Sequence, residues 1–95
     1  MPHLVGRYET QNASKYLQQL CKHFSHKIDV TYDARQGNCA FVFGTATMSA
    51  DPQKLLIKFD LNYPEAIETA KNVIDRHLEK FAFRERFQSM EWTSG

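Results

Sequence analysis

The chain has 95 residues, of which 42% are hydrophobic and 13% are aromatic. This composition is typical of a folded globular domain and excludes a disordered, highly charged chain. The length predicts one domain, residues 1–95, with one core. Twelve basic against eleven acidic residues give a formal net charge of +1, which supplies no overall field for nucleic acid or an anionic membrane.

The two cysteines, Cys21 and Cys39, are too few for the disulfide framework of a small secreted domain. The first residues lack a basic start followed by an apolar stretch, and no run of about 18 apolar residues occurs in the sequence. These features predict a cytoplasmic protein with free thiols and without a membrane partner.

The first quarter of the chain predicts a strand followed by a helix. The first ten residues alternate loosely, and Asn12 offers a side-chain acceptor for a helix that starts at about Ala13. Apolar residues recur along this helix at three- and four-residue spacing and form one stripe: Ala13, Leu17, Leu20, Cys21 and Phe24.

The middle of the chain alternates between polar and apolar residues, a pattern that predicts half-buried strands. The predicted strands are residues 27–32, 39–43, 45–50 and 55–61, with a bend or bulge at Gly44. The polar residues 33–38, which contain Gly37, and the Asp51-Pro52 pair are predicted turns.

Asn62, Pro64 and Glu65 together predict the start of a second helix, which is expected to run to about Phe83. Its apolar stripe is Ile67, Ala70, Ile74, Leu78 and Phe81. Residues 87–92 alternate again and predict a final strand.

The predicted order is therefore β-α-β-β-β-β-α-β, an α+β fold. Short connections favour mainly antiparallel pairing, and two helices packed on one face of a curved sheet is the simplest arrangement. The pattern is similar to the TATA-binding-protein-like fold, a similarity that carries no function by itself.

Three of the four histidines lie in two segments rich in aromatic and charged residues, residues 16–27 and 76–85. His23 and His26 share a helix face, so a metal ion can reach both. A further ligand would have to come from Cys21 or His77, because two imidazoles do not complete a zinc site. The alternative is that both residues are ordinary helix-end groups, with His26 near the free carbonyls.

His77 projects beside Val73, Ala70 and Phe81, which predicts that it is at least half buried. A histidine in this position is either a core residue with one hydrogen-bond partner or, if the two helices are neighbours, a group that approaches His23 and shares a pocket with it.

Arg76, Lys80 and Arg84 are spaced by four on the second helix. They either bind a carboxylate or phosphate or complement the helix C-terminus as a solvated face. Most aromatic residues fall at inward strand positions, so a nucleic-acid partner is not predicted.

No catalytic motif is present in the sequence. Cys21 lies on an apolar stripe, where a thiol is normally inert, the serines lack a Gly-x-Ser-x-Gly elbow, and there is no glycine-rich phosphate loop. A non-enzymatic protein is favoured over an enzyme, and no catalytic residue or cofactor is predicted.

Two motifs resemble a known family. The segments Tyr16-Leu17-x-x-Leu20-Cys21-x-His23-Phe24-x-His26-Lys27 and His77-Leu78-x-x-Phe81-Ala82-Phe83-Arg84-Glu85, followed by Trp92, are similar to the bacterial family catalogued as domain of unknown function 2218. The resemblance spans nearly the whole chain. Members of that family stand alone or are attached to siderophore-interacting flavoproteins of the ferric-reductase kind, so the resemblance implies a loose association with iron acquisition.

The first hypothesis is a non-enzymatic accessory or ligand-binding module whose site includes His23, His26, His77, Arg84 and Lys27. Its histidines would hold iron or another divalent metal, or Arg84 with Lys27 would hold an acidic ligand such as a siderophore carboxylate. The expected partners are a siderophore-interacting flavoprotein or a ferric chelate. The second hypothesis is a structural or protein-interaction domain, monomeric or homodimeric, without a small-molecule site.

Overall fold

The computed structural model describes residues 2–87 and 89–94, and in them six strands and two helices follow the order β-α-β-β-β-β-α-β. This confirms the predicted α+β class and element order. The elements are β1 His3–Glu9, α1 Ala13–Phe24, β2 Val30–Tyr32, β3 Gln36–Phe41, β4 Gly44–Ala50, β5 Lys54–Leu61, α2 Ala66–Phe81, a short 3-10 helix at Phe83–Glu85, and β6 Glu91–Ser94.

The strands form one sheet in the order β2-β3-β4-β5-β1-β6, with every neighbouring pair antiparallel. Burial alternates along β5 and shows which face of the sheet is covered. On one face the side chains are at most 1% exposed: Leu55, Ile57, Phe59 and Leu61. The other face carries the exposed residues Lys58 and Asp60. Helix α1 contacts β2 to β5, and α2 contacts β5 and α1. The two helices therefore lie side by side and bury the apolar face of the sheet.

The two helical stripes that the sequence predicts are found at the core. All five predicted stripe residues of α1 are buried, and Tyr16 joins them. On α2, Ala70, Ile74 and Leu78 are buried, whereas Ile67 and Phe81 are half-buried. No helix in the described part of the chain is long and apolar enough to cross a membrane.

Neither predicted asparagine forms a side-chain cap, although α1 begins at Ala13, directly after Asn12, as predicted. The Asn12 side chain makes no capping bond and its Nδ2 donates to Glu85. Asn62 Nδ2 donates to the Val42 carbonyl, and α2 begins only at Ala66, after a turn. The helix ends at Phe81, two residues before the predicted end, because the chain tightens into the 3-10 helix.

The predicted strand at residues 27–32 is shorter in the structure, where it is Val30–Tyr32. The amides of Lys27 and Ile28 both donate to the Phe24 carbonyl, so these residues still belong to the closing turn of α1.

Gly37 lies in β3 and not in the turn that the sequence predicts. The Asp33 carboxylate accepts bonds from the amides of Arg35 and Gln36, and the turn therefore closes earlier. A Cβ at Gly37 would lie 2.6 Å from the Cys21 Sγ. Glycine is needed here because α1 packs directly on the strand backbone.

The final strand is Glu91–Ser94, displaced from the predicted residues 87–92, of which Gln88 lies outside the described residues. Asp75 of α2 positions this strand, since its carboxylate accepts bonds from the Met90 amide and the Trp92 Nε1, both at 3.0 Å. The Trp92 ring lies against Gly6 of β1, where a Cβ would come within 2.6 Å of it.

Candidate ligand-binding site

Two histidines meet where α1 and α2 lie side by side. His23 Nε2 is 3.0 Å from His77 Nε2, and the ring centroids are 4.5 Å apart. His77 Nδ1 lies 2.6 Å from the Val73 carbonyl oxygen. Because a carbonyl only accepts, Nδ1 of His77 carries a hydrogen, and the Nε2 of a neutral His77 accepts the bond that His23 Nε2 donates.

The geometry of the pair disfavours the protonation of both rings at once. If both rings were protonated, two N–H groups and two like charges would face each other across 3.0 Å. His23 is exposed, but its neighbours partly desolvate the ring, which lowers its pKa, and the positive charge that His77 and Lys27 can carry lowers it further. Protonation of His23 is therefore disfavoured in the folded protein.

The histidine pair borders a cavity of about 220 Å³, which we name the histidine cavity. Its lining residues are His23, Phe24, Lys27, Ile28, Phe41, Val73 and His77. The Phe24 ring meets those of Phe41 and His77 edge to face, with centroids 5.0 Å apart in both cases. Three groups that can carry positive charge thus adjoin a mainly aromatic and aliphatic wall, an arrangement suited to an apolar molecule with an anionic end.

The other predicted site residues lie elsewhere. His26 is exposed in the turn after α1 and does not line the histidine cavity. Arg84 is exposed on the 3-10 helix, with its guanidinium 5.6 Å from the Phe83 ring centroid, and it lines a different cavity from Lys27. Among residues 2–87 and 89–94, no group of three histidine, cysteine or acidic residues is arranged to hold a metal ion.

A second polar cluster, which the sequence did not predict, surrounds Glu85. Tyr8 Oη and Thr10 Oγ1 donate to its Oε1 at 2.7 and 2.8 Å, while Asn12 Nδ2 donates to Oε2 at 2.7 Å and Tyr16 Oη donates to the same oxygen. The donors come from β1, the following loop and α1. The cluster therefore anchors the 3-10 helix to the start of the chain.

The Glu85 cluster fixes the charge of its members. Burial raises the pKa of Glu85, but the four donated hydrogen bonds outweigh it and bring that pKa down to about 2. Burial and the bond to Glu85 raise the pKa of Tyr16 to about 12, and that of Tyr8 rises for the same reasons. At neutral pH the cluster is thus one carboxylate held by four neutral donors, an arrangement typical of a structural anchor.

Comparison with known proteins agrees with the fold. The NMR structure of PA4090 from Pseudomonas aeruginosa superimposes with a TM-score of 0.79 at 25% identity and covers 98% of this chain and 96% of that one. No curated protein matches the chain. The family model DUF2218, described as an uncharacterized protein conserved in bacteria, matches residues 5–93. The resemblance drawn from the two motifs is therefore confirmed, and the chain belongs to the bacterial family DUF2218.

Proposed function

We propose that the protein is a non-enzymatic binding module that takes a small apolar carboxylate into the histidine cavity. The observation that carries the proposal is the contact between His23 and His77 at the edge of an apolar cavity that Lys27 also lines. A carboxylate accepts hydrogen bonds only, and a protonated histidine pair together with a lysine supplies charged donors for it.

The walls of the histidine cavity favour a ligand with a ring or a branched apolar body. Phe24, Phe41 and Val73 offer no hydrogen-bonding side-chain groups, so a fully polar ligand would lose its hydration there without compensation. Phe24 and Phe41 already pack edge to face, and an aromatic ring can continue that packing. In a benzoate-like molecule the carboxylate can bind the cationic groups and the ring can pack against the apolar wall.

The resemblance to domains that are attached to siderophore-interacting flavoproteins supports a link with iron acquisition. Aryl carboxylates with a neighbouring hydroxyl group chelate ferric iron, so they belong to the ligand class that the histidine cavity favours. Within this proposal the ligand is a siderophore fragment or its ferric chelate, and the partner is such a flavoprotein.

Metal binding is the second candidate, and one geometric feature favours it. The Nε2 atoms of His23 and His77 converge to 3.0 Å, and the Val73 carbonyl fixes the His77 ring through Nδ1, as an outer partner does in metal sites. Because no third protein ligand is arranged beside them in the described part of the chain, the metal would arrive with ligands of its own, as a chelate does.

Calorimetric titration with benzoate, salicylate and neutral benzyl alcohol tests the first proposal. We expect saturable binding of the two acids and none of the alcohol. Lys27→Met and His77→Gln should each weaken the binding of benzoate about tenfold, as expected for loss of a hydrogen bond to a charged group. Lys22→Met is the matched control, because Lys22 is an exposed lysine near the end of α1 that lies outside the histidine cavity. Equal weakening by both lysine substitutions, or no binding of either acid, would refute the proposal.

Titration with Zn²⁺ alone and with ferric salicylate tests the second candidate. Binding of the ferric chelate that depends on both His23 and His77, with no effect of His26→Gln, would favour the metal over the free acid. If His77→Gln only lowers the melting temperature and no compound binds to the unsubstituted protein, the histidine pair is structural and the interaction-domain hypothesis replaces both.

A further inference from the structure

A second cavity, of about 480 Å³, lies between the start of α1 and the end of α2. Three cationic side chains line it, and we name it the cationic cavity: Lys15 from α1, Lys80 from α2 and Arg84 from the 3-10 helix. It shares no lining residue with the histidine cavity. Its ligand chemistry is therefore independent of that of the histidine cavity.

The positive charge of the cationic cavity is not balanced within the described residues. None of Lys15, Lys80 and Arg84 forms an ion pair within 4.0 Å in residues 2–87 and 89–94. The one acidic side chain of the lining is Glu85, whose two oxygens already accept bonds from four neutral donors. Three cations beside one engaged carboxylate leave a surplus of two positive charges, which favours an anion with more than one negative charge.

Polar and aromatic groups complete the cationic cavity. Gln19 also lines the cationic cavity, and its side-chain amide carries an NH2 group that can donate a hydrogen bond to an anion. Phe83 is 65% exposed, and its ring supports the Arg84 guanidinium at 5.6 Å from the ring centroid. A guanidinium in a cation–π contact of this kind still has N–H groups that can bind two oxygens of one oxyanion.

We infer that the cationic cavity is a binding site for a compact multivalent oxyanion, held by Lys15, Lys80 and Arg84. The anion can be a phosphate ester or a polycarboxylate, since both present clustered oxygens of high charge. This site is additional to the proposed function, and the failure of either leaves the other intact because the two cavities have different lining residues.

Titration of the protein with pyrophosphate and with citrate tests the inference, with acetate as the monovalent control. We expect saturable binding of at least one multivalent anion, weakening as salt is raised from about 50 to 200 mM. Arg84→Gln and Lys80→Gln should each weaken it about tenfold. Tighter binding of pyrophosphate identifies a phosphate ester, and tighter binding of citrate identifies a polycarboxylate.

Arg76→Gln is the matched control, because Arg76 is exposed on the same helix and does not line the cationic cavity. It should change the affinity less than about twofold. Lys15→Gln provides a second, independent variant at an exposed position of α1, in case a substitution near Glu85 impairs folding. Absence of binding to the folded protein, or equal weakening by Arg76→Gln and Arg84→Gln, would overturn the inference.

Discussion

His23 Nε2 and His77 Nε2 lie 3.0 Å apart although 54 residues separate the two histidines along the chain. The hydrogen bond of His77 Nδ1 to the Val73 carbonyl decides which nitrogen of that ring faces His23. As a result the two Nε2 atoms face each other at the edge of the cavity that we propose for an anionic ligand.

The histidine pair should make stability depend on pH near neutrality. The pKa of His23 is lowered from its ordinary 6.5 in the folded protein, so the unfolded chain takes up the proton first. The stability that the neutral form of His23 contributes is fully present above about pH 6.5 and is lost as the pH falls below that value. Urea unfolding at pH 7.5, 6.5 and 5.5 should show a loss of about a few tenths of a kcal/mol, small because His23 is exposed. His23→Gln should reduce this loss and His26→Gln should not. Identical pH dependence in all three proteins would show that the pair does not act in this way.

Glu85→Gln should destabilise the protein by about 1–3 kcal/mol at pH 7. Each carboxylate oxygen of Glu85 accepts hydrogen bonds from two donors, and the amide NH2 group that replaces one oxygen cannot accept them. Since the pKa of Glu85 is lowered from 4.5 to about 2, its contribution is present above about pH 4.5 and is lost as the pH falls towards 2. The difference between the two proteins in urea unfolding should therefore shrink below pH 4.5. Glu79→Gln, at an exposed position on α2, serves as control. A constant difference down to pH 3 would contradict the assigned hydrogen bonds.

Tyr16→Phe removes one donor to Glu85 and should cost about 0.5–1.5 kcal/mol of unfolding free energy. The effect should be smaller in the Glu85→Gln background, because the residue that receives the bond has changed. Denaturant unfolding of the two single variants and the double variant measures this coupling. Additive effects would indicate that the hydroxyl of Tyr16 does not stabilise Glu85.

Gly37→Ala should cost about 1–3 kcal/mol, because the new Cβ would lie 2.6 Å from the Cys21 Sγ. In that background Cys21→Ala removes the atom that clashes, so it should be less destabilising than in the unsubstituted protein. Thermal unfolding of the single and double variants measures the difference. If Cys21→Ala has the same effect in both backgrounds, the helix does not approach the strand at this point.

Local patterns predicted the fold because the spacing of apolar residues along a helix or strand indicates which of its faces is buried. The alternation around Leu55 and Ile57 predicted β5, and the stripe through Leu17 and Leu20 predicted the buried face of α1. The pattern also placed His77 on an apolar flank. The contact of His77 with His23 could be predicted only on the condition that the two helices are neighbours, which the local pattern does not decide.

The failures at Asn12, Asn62 and Gly37 share a cause, which is a tertiary contact that the local pattern does not show. The side chains of Asn12 and Asn62 have the chemistry of helix caps, but they bond to Glu85 and to the Val42 carbonyl. Glycine is typical of turns, but Gly37 lies in a strand, where the absence of a side chain lets α1 pack closely against it. The donors to Glu85 come from distant segments, and the only signal in the sequence was the density of polar hydroxyl and amide groups between Tyr8 and Tyr16.

The most direct test of the proposed function is the nitrogen-15 NMR spectrum of the histidine side chains with and without saturating benzoate at pH 6.5. The account predicts that the Nε2 resonances of both His23 and His77 shift on binding, while His77 Nδ1 keeps its hydrogen and the resonances of His26 stay unchanged. If benzoate leaves both Nε2 resonances unchanged, or shifts those of His26 equally, the histidine cavity is not the carboxylate site.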